Sequence, residues 1–384
     1  WKDLKNPDVG GAEIILYELA KKLAKGGHKV TWFCRSSPGS VSREVIDGIN
    51  FIRKGNAVTV YWEAYKYYKN LTSKPDKVLD CVNTICWQTP LYVEKEKRII
   101  YVNQLAKQVF WYELFFPLSL LAYFLERIEY LTYKNSRFVC YSASTKADLI
   151  QFGIPPKKIS IFKIGIDHNR YTPGQKSPTP FFVFVARFVR MKRPELCVEA
   201  MKYVIKKFPT AKLVIVGYGP LEKQLQQKII KNSLSKNVIL VNKNNLFFKK
   251  DIKDQKTKLL KKSWAILLPS VKEGWGLVIT EAGACGTTAI VTDVTGLRDS
   301  VIKDKTGLII SSNPTDLELA NAIIRLIMDR ELRERLSSGA LDFSKNLNLE
   351  SSVSNPVWLS QIEVPIGLSG MRFNGTNTYF YADD

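Results

Sequence analysis

Short apolar runs alternate along this chain with longer stretches in which apolar positions recur every three or four residues. Apolar side chains at 15, 16, 19, 20 and 23 share one face of a helix over residues 12–25, and 29–33 reads as the strand after it. Further strands are expected at 98–102, 137–141 and 159–163. Residues 167–180 are polar, rich in proline and punctuated by glycine, so they read as a linker. The alternation then restarts: strand 181–185, helix 194–207, strand 212–216, helix 220–232, strand 237–241. Near the end come an apolar strand at 264–268, a helix opened after Gly276 and closed at Cys285-Gly286, and a strand at 289–291. Glu281 is expected two turns inside that helix, and Glu273 in the loop before it.

Strands alternating with helices point to parallel α/β architecture. The 384 residues divide most economically into a first domain (1–166), a linker (167–180), a second domain (181–345) and a tail (346–384) of different composition, to which no role is assigned. Gly10-Gly11 opens a helix where a strand ordinarily precedes, so a first strand is expected to be missing.

Composition narrows the function classes. An apolar fraction of 45% supports real cores, while the formal charge of +21 has two readings. It either solvates lysine-rich helix faces such as 258–262, or meets polyanions: nucleic acid, anionic lipid or phosphorylated substrates. Six cysteines without framework spacing favour a reducing compartment. Cys81 and Cys86 lie close in sequence, but two histidines in the whole chain make a zinc site improbable. No secretory leader and no clean membrane span are expected. The segment 108–134 is aromatic-rich with basic ends, and 60–70 repeats the theme. It suits either an interfacial surface that meets a membrane-proximal acceptor or a buried helix of the first domain.

Four glycine-bearing strand-to-helix junctions could bring backbone N–H groups to an anion: 8–13, 216–222, 273–277 and 295–300. Each alone is a weak signal. Arg187, expected to end a strand, and Lys192, five residues later and just before a helix, offer a planar fork and a mobile point charge that suit a diphosphate, or else simply solvate the surface. Glu273 and Glu281 flank a Gly-Trp-Gly turn in EGWGLVITE.

The order Gly-Gly-Ala-Glu, Arg-x4-Lys, Gly-x-Gly-Pro and Glu-x7-Glu resembles the GT4 family of retaining glycosyltransferases, most specifically over 270–301 and more loosely over about 6–340. The resemblance implies a GT-B fold: two Rossmann-like parallel α/β domains facing each other across a cleft. It implies that Arg187 and Lys192 hold the diphosphate of a sugar nucleotide and neutralise it as it leaves. Glu281 would accept the ribose hydroxyls. Glu273, with the N–H groups of Gly274, Trp275, Gly276 and Leu277, would contact the donor sugar and phosphates. Gly10 and Gly11 would approach the same phosphates from the opposite side, and Gly217 would lie near the nucleotide. Asn103 stands where the family often has a sugar-proximal histidine. Ile164 and Thr288 replace a common asparagine and proline. No cofactor and no metal are implied, and no Asp-x-Asp occurs.

The implied partners are a nucleotide-sugar donor, a glycan or lipid-linked acceptor and a weak anionic membrane contact, with no nucleic acid. The implied setting is cell-envelope glycan biosynthesis, cytoplasmic or peripheral on the inner membrane face. A catalytically silent sugar-nucleotide binder of the same fold is the alternative. A nucleic-acid binder lacks any recognised module here, and a dinucleotide oxidoreductase lacks the third glycine of its fingerprint.

Overall fold

A computed structural model describes residues 2–6, 10–82, 85–162, 164–242 and 252–347. Residues 7–9 of the first glycine junction, position 163 of an expected strand and the tail beyond 347 lie outside the described residues.

The first domain opens with α1 (Gly11–Lys25), which turns Leu16, Leu19 and Ala20 inward. Strands β1 (Val30–Cys34), β2 (Arg43–Ile46) and β3 (Ile49–Arg53) follow, then α2 (Val60–Lys69), β4 (Val78–Val82) and β5 (Arg98–Val102). Next come α3 (Val109–Glu113), α4 (Leu118–Tyr133), β6 (Arg137–Cys140), α5 (Ala143–Gln151) and β7 (Ile159–Ile161). Its strands fall into two sheets, β1-β3-β2 and the parallel β4-β5-β6-β7. An apolar cavity of about 200 Å³, lined by β1, β4, α1 and α2, separates them.

One feature departs from the all-parallel expectation: β2 runs antiparallel to β3, with Ile46 paired to Ile49. The two connecting residues, Asp47 and Gly48, both have positive φ. That is the two-residue hairpin turn an Asp-Gly pair favours, because its twist matches the strands it joins.

The second domain is a single parallel sheet built from β8 (Phe181–Val185), β9 (Lys212–Val216), β10 (Val238–Val241), β11 (Ala265–Leu268), β12 (Thr288–Thr292) and β13 (Gly307–Ile310). Its helices are α6 (Pro194–Lys207), α7 (Glu222–Lys231), α8 (Ile252–Lys262), α9 (Leu277–Ala284), α10 (Leu297–Ser300), α11 (Asp316–Met328) and α12 (Arg330–Lys345). Strand order is β10-β9-β8-β11-β12-β13. The chain therefore winds outward from β8 in one direction and from β11 in the other. The switch between β8 and β11 leaves a crevice at their carboxyl ends, where such sheets bind ligands. The loop that carries Arg187 and Lys192 emerges there after Val185, and the loop that carries Glu273 after Leu268.

The domains touch closely. Val271 and Met191 of the second domain pack with Ala106, Val109 and Phe110 of the first. Trp275 and Leu277 pack against a first-domain cluster that includes Leu16, Tyr101 and Ile164. Ile164 thus serves as core at the position where the resemblance noted above has a common asparagine.

Candidate active site

The loop after β8 delivers Lys192, and the loop after β11 delivers Glu273. Lys192 Nζ donates to Glu273 Oε1 at 2.5 Å, and the Ser270 hydroxyl donates to the same oxygen at 2.8 Å. Lys192 is buried, so this is a sheltered pair rather than a surface one. Arg187 lies two residues beyond the end of β8 rather than in the strand. Its side chain is exposed and makes no hydrogen bond or ion pair among the described residues. The structure therefore brings Lys192 to Glu273 but leaves Arg187 extended into solvent.

Glycines at this site answer to backbone approach. A Cβ on Gly274 would stand 2.0 Å from the carbonyl oxygen of Asn103, across the domain boundary. Gly276 has φ +86 at the N-cap of α9, in the left-handed region where side chains are strained. Behind this turn α9 begins at Leu277, whose side chain stands where a Cβ on Gly11 would clash, at 2.7 Å. The starts of α1 and α9, each with amide groups that lack intrahelical acceptors, thus face one another across the boundary. Gly10 does not contribute its own amide, because Glu13 Oε2 accepts that N–H at 2.9 Å. Gly217 answers to the second domain itself: a Cβ there would stand 2.0 Å from the Ala186 carbonyl oxygen.

Glu281 is the fifth residue of α9, just over one turn in rather than two. Lys256 Nζ reaches both its oxygens, at 2.7 and 2.8 Å, and the Tyr171 hydroxyl donates at 2.8 Å. Burial and the neighbouring Glu281 push the Tyr171 hydroxyl well above its usual range, so it remains a donor. Asn103 is buried, donates to the Val82 carbonyl at 3.2 Å and accepts from the Tyr141 hydroxyl at 2.9 Å. Its amide is committed to the first domain, and its backbone carbonyl is what meets the second. Thr288, in place of proline, is buried and donates to the Thr306 carbonyl at 2.9 Å.

Helix α5 of the first domain grips both loops of the second that frame Glu273. Asp148 Oδ2 accepts from Lys272 Nζ at 2.6 Å and from the Thr295 hydroxyl at 3.2 Å, while Oδ1 accepts from Lys107 at 2.7 Å. Ser144 accepts the Gly296 N–H at 2.8 Å, and its hydroxyl donates to Asp299. The Thr295 carbonyl in turn accepts the Glu273 N–H at 3.2 Å. Burial raises the Asp148 carboxyl, but the Lys272 and Lys107 ammonium groups outweigh it and hold Asp148 below its ordinary range. Among the described residues no three His, Cys, Asp or Glu side chains gather in a metal-holding cluster.

Sequence reasoning missed Lys256, Tyr171, Ser270, Asp148 and Lys272. Lys256 and Lys272 are two of many lysines, and nothing in their local pattern separates a buried ammonium from a solvated one. Asp148 lies in SASTKADL (142–149), which agrees loosely with the same family pattern and was the available signal.

Two α/β domains, parallel but for the β2–β3 hairpin, meet over a crevice at the carboxyl ends of β8 and β11, and this arrangement is the GT-B fold. The chain matches "Glycosyltransferase Family 4" over residues 9–170 and "Glycosyl transferases group 1" over 166–342, and it belongs to that family. An uncharacterized glycosyltransferase of Methanocaldococcus jannaschii is 24% identical over 90% of this chain and 93% of its own length. The Escherichia coli UDP-Gal:alpha-D-GlcNAc-diphosphoundecaprenol alpha-1,3-galactosyltransferase is 30% identical over 52% of this chain, which spans 53% of that relative's length. Sucrose-phosphate synthase from Thermosynechococcus elongatus shares the fold with TM-score 0.72 at 20% identity, covering 92% of this chain and 93% of its own. The lipopolysaccharide-biosynthesis glycosyltransferase WaaG does so with TM-score 0.71 at 17% identity, covering 92% and 96%.

Proposed function

We propose that the chain moves a sugar, with retained anomeric configuration and without a metal, from a nucleoside-diphosphate sugar to a hydroxyl of a glycan or lipid-linked acceptor. The observation that carries this reading is the Lys192–Glu273 pair at the β8/β11 switch, flanked by the facing starts of α1 and α9. A sugar nucleotide needs its diphosphate neutralised as the glycosidic bond breaks. Lys192 can exchange Glu273 for a phosphate oxygen, and Arg187 is extended and unpaired, able to close on the same group. The two helix starts add amides and dipole ends that favour negative charge. Glu273, freed from Lys192, then faces the sugar. Glu281 takes the ribose hydroxyls, which must displace Lys256 or Tyr171 from its oxygens.

A uridine donor is the first to test, because the Escherichia coli relative is named for UDP-Gal and a structure of similar fold is titled as a complex with UDP and glucose. The same relative is named for a diphosphoundecaprenol acceptor, which supports the lipid-linked reading. We place the protein on the cytoplasmic side, against the inner membrane face. All six cysteines are free, which suits a reducing compartment, and no described helix is long and apolar enough to cross a membrane.

A thermal-shift screen of UDP-, GDP- and ADP-sugars tests donor binding: at a hundredfold excess over Kd the right donor should add about 2.7 kcal/mol. Turnover retained in EDTA, with an α-product from an α-donor, is the expected outcome. Donor binding without turnover on any lipid or glycan acceptor would instead favour the silent binder. Loss of turnover in EDTA that Mn²⁺ or Mg²⁺ restores would remove the metal-free reading.

A further inference from the structure

Helix α4 presents its aliphatic side chains outward. It buries Ser119, Glu126 and the two tyrosines Tyr130 and Tyr133, while leucine and isoleucine occupy the outer face. Leu121, Leu125, Ile128 and Leu131 follow helical spacing along that face and all are exposed. Ahead of the helix, Phe115 and Phe116 are 73% and 74% exposed. The reason for this orientation lies beneath it. Glu126 accepts the N–H groups of Ala106 and Lys107, at 2.5 and 2.8 Å, so the polar side of the helix is spent on satisfying an irregular loop. A contiguous apolar face of this extent marks an interaction site, since isolated exposed apolar residues need no partner but a stripe does.

Charge selects the occupant. Between residues 105 and 160 the sequence has seven Lys and Arg against four Asp and Glu. The four acids are turned inward or spent on partners. Glu113 accepts the Met191 amide, Glu126 the two amides above, Glu129 that of Cys86, and Asp148 two lysines. The basic groups gather instead: desolvation first, then the nearby Lys95, Lys157 and Lys134, depress the Lys158 ammonium, with Glu94 and Glu96 exposed on either side of Lys95. Lys158 also donates to the Lys134 carbonyl, which places this cluster at the carboxyl-terminal end of α4. An apolar stripe with a cationic cluster at one end and no free carboxylate on it complements an anionic bilayer.

The surface also adjoins the cleft. The inner side of the same segment, through Ala122 and Tyr123, packs with Met191 and Val271, the residues beside Lys192 and Lys272. We propose that the outer face of α4, with the Phe115-Phe116 tip, seats the protein on an anionic lipid surface, so that an acceptor held in that surface enters the cleft along the α3–α4 seam. The proposal deepens the membrane-side reading above and is independent of the transfer chemistry.

Co-sedimentation with phosphatidylglycerol/phosphatidylcholine and pure phosphatidylcholine vesicles, at 50 and 300 mM salt, tests it. Wild-type protein should partition at least tenfold more strongly onto the anionic vesicles at low salt and lose most of that preference at high salt. L121Q/L125Q/I128Q, three exposed changes, should lower binding tenfold or more with an unchanged melting temperature. K157E/K158E should abolish the anionic preference alone. UDP-induced thermal shift on each variant should match wild type, so that failure of docking and failure of the donor site are read separately. Equal sedimentation of wild type and the triple variant would overturn the proposal. So would a dimer, seen by sedimentation velocity, that the triple variant dissolves while vesicles leave both untouched, since the face would then belong to a second copy.

Discussion

The second domain fills its interior with apolar side chains along β8, β9 and β11, with the buried hydroxyls of Thr288 and Thr292 on β12; of its buried charges, Lys192 pairs with Glu273 of the same domain and Lys272 reaches Asp148 of the first. The first domain buries Arg53, Asp80, Arg98, Glu126 and Asp148. The difference follows from loops. First-domain segments around 85–92 and 104–108 carry amides and hydroxyls that no strand or helix satisfies, and carboxylates satisfy them instead. Asp80 accepts from Thr89 and Tyr133, Glu129 from the Cys86 amide, and Glu126 from Ala106 and Lys107. In the second domain loops close on backbone bonds and on hydroxyls such as Thr292, Thr287 and Thr306, with a carboxylate, Glu318, at Ser311. There the charges that are sheltered serve the boundary and the site. Buried ionic groups thus mainly satisfy loops in the first domain, and in the second they lie at the crevice and the domain boundary.

The largest expected effect lies at the boundary. Asp148→Ala strands Lys272 in a buried position, and removing one partner of such a pair typically costs about 3–5 kcal/mol. Urea unfolding should show that loss, or small-angle scattering should show the domains parting to hydrate Lys272; an unchanged midpoint and envelope would mean the pair is incidental. The sign with pH follows from the depressed carboxyl. Its contribution is present above the ordinary aspartate value, about pH 4, and is lost as pH falls through the lower folded value.

Next is chemistry without architecture. Lys192→Ala should cost about 2–4 kcal/mol in kcat/KM, and Arg187→Ala a loss in the same range. Wild-type turnover in either variant would remove the diphosphate role assigned to it.

The third effect tests whether first-domain carboxyls are structural. Burial raises Glu129 to about 7 from an ordinary 4.5. A raised folded pKa means stability fully present below about pH 4.5 and lost as pH rises through about 7. Thermal melts from pH 4.5 to 8 should show first-domain stability falling by on the order of 2 kcal/mol, discounted for partial exposure. Glu129→Gln should flatten that slope; an identical slope would place the titration elsewhere.

The smallest effect separates the two donor-site carboxylates. Glu281→Gln should raise KM roughly tenfold, about 1.4 kcal/mol, with kcat nearly kept, because the contact proposed for it is to a part of the donor that does not react. Glu273→Gln should instead lower kcat more than it weakens binding of the bare nucleoside diphosphate. Matched changes in kcat and KM for both would erase the division of roles.

The sequence by itself determined five of the second domain's six strands and the helices at 194–207, 220–232 and after Gly276, each to within about two residues. Strands 181–185 and 212–216 and helix 194–207 lie where periodicity placed them, because each is a fully buried strand or an amphipathic helix whose pattern reports its own surroundings. The Gly-Trp-Gly turn before α9 was equally legible, since a positive φ at Gly276 leaves a local mark. The β2–β3 hairpin was legible too, in Asp47-Gly48, and was overlooked. Tertiary structure alone decided the rest. A stretch such as 118–131 reads the same whether its apolar face points to a core or to a bilayer, and only the loop that claims Glu126 turned it outward. Likewise Lys256 and Lys272 carry no local sign of their carboxylate partners, 25 and 124 positions away. Charge pairing is set by distance in space, which the order of residues along one helix does not encode.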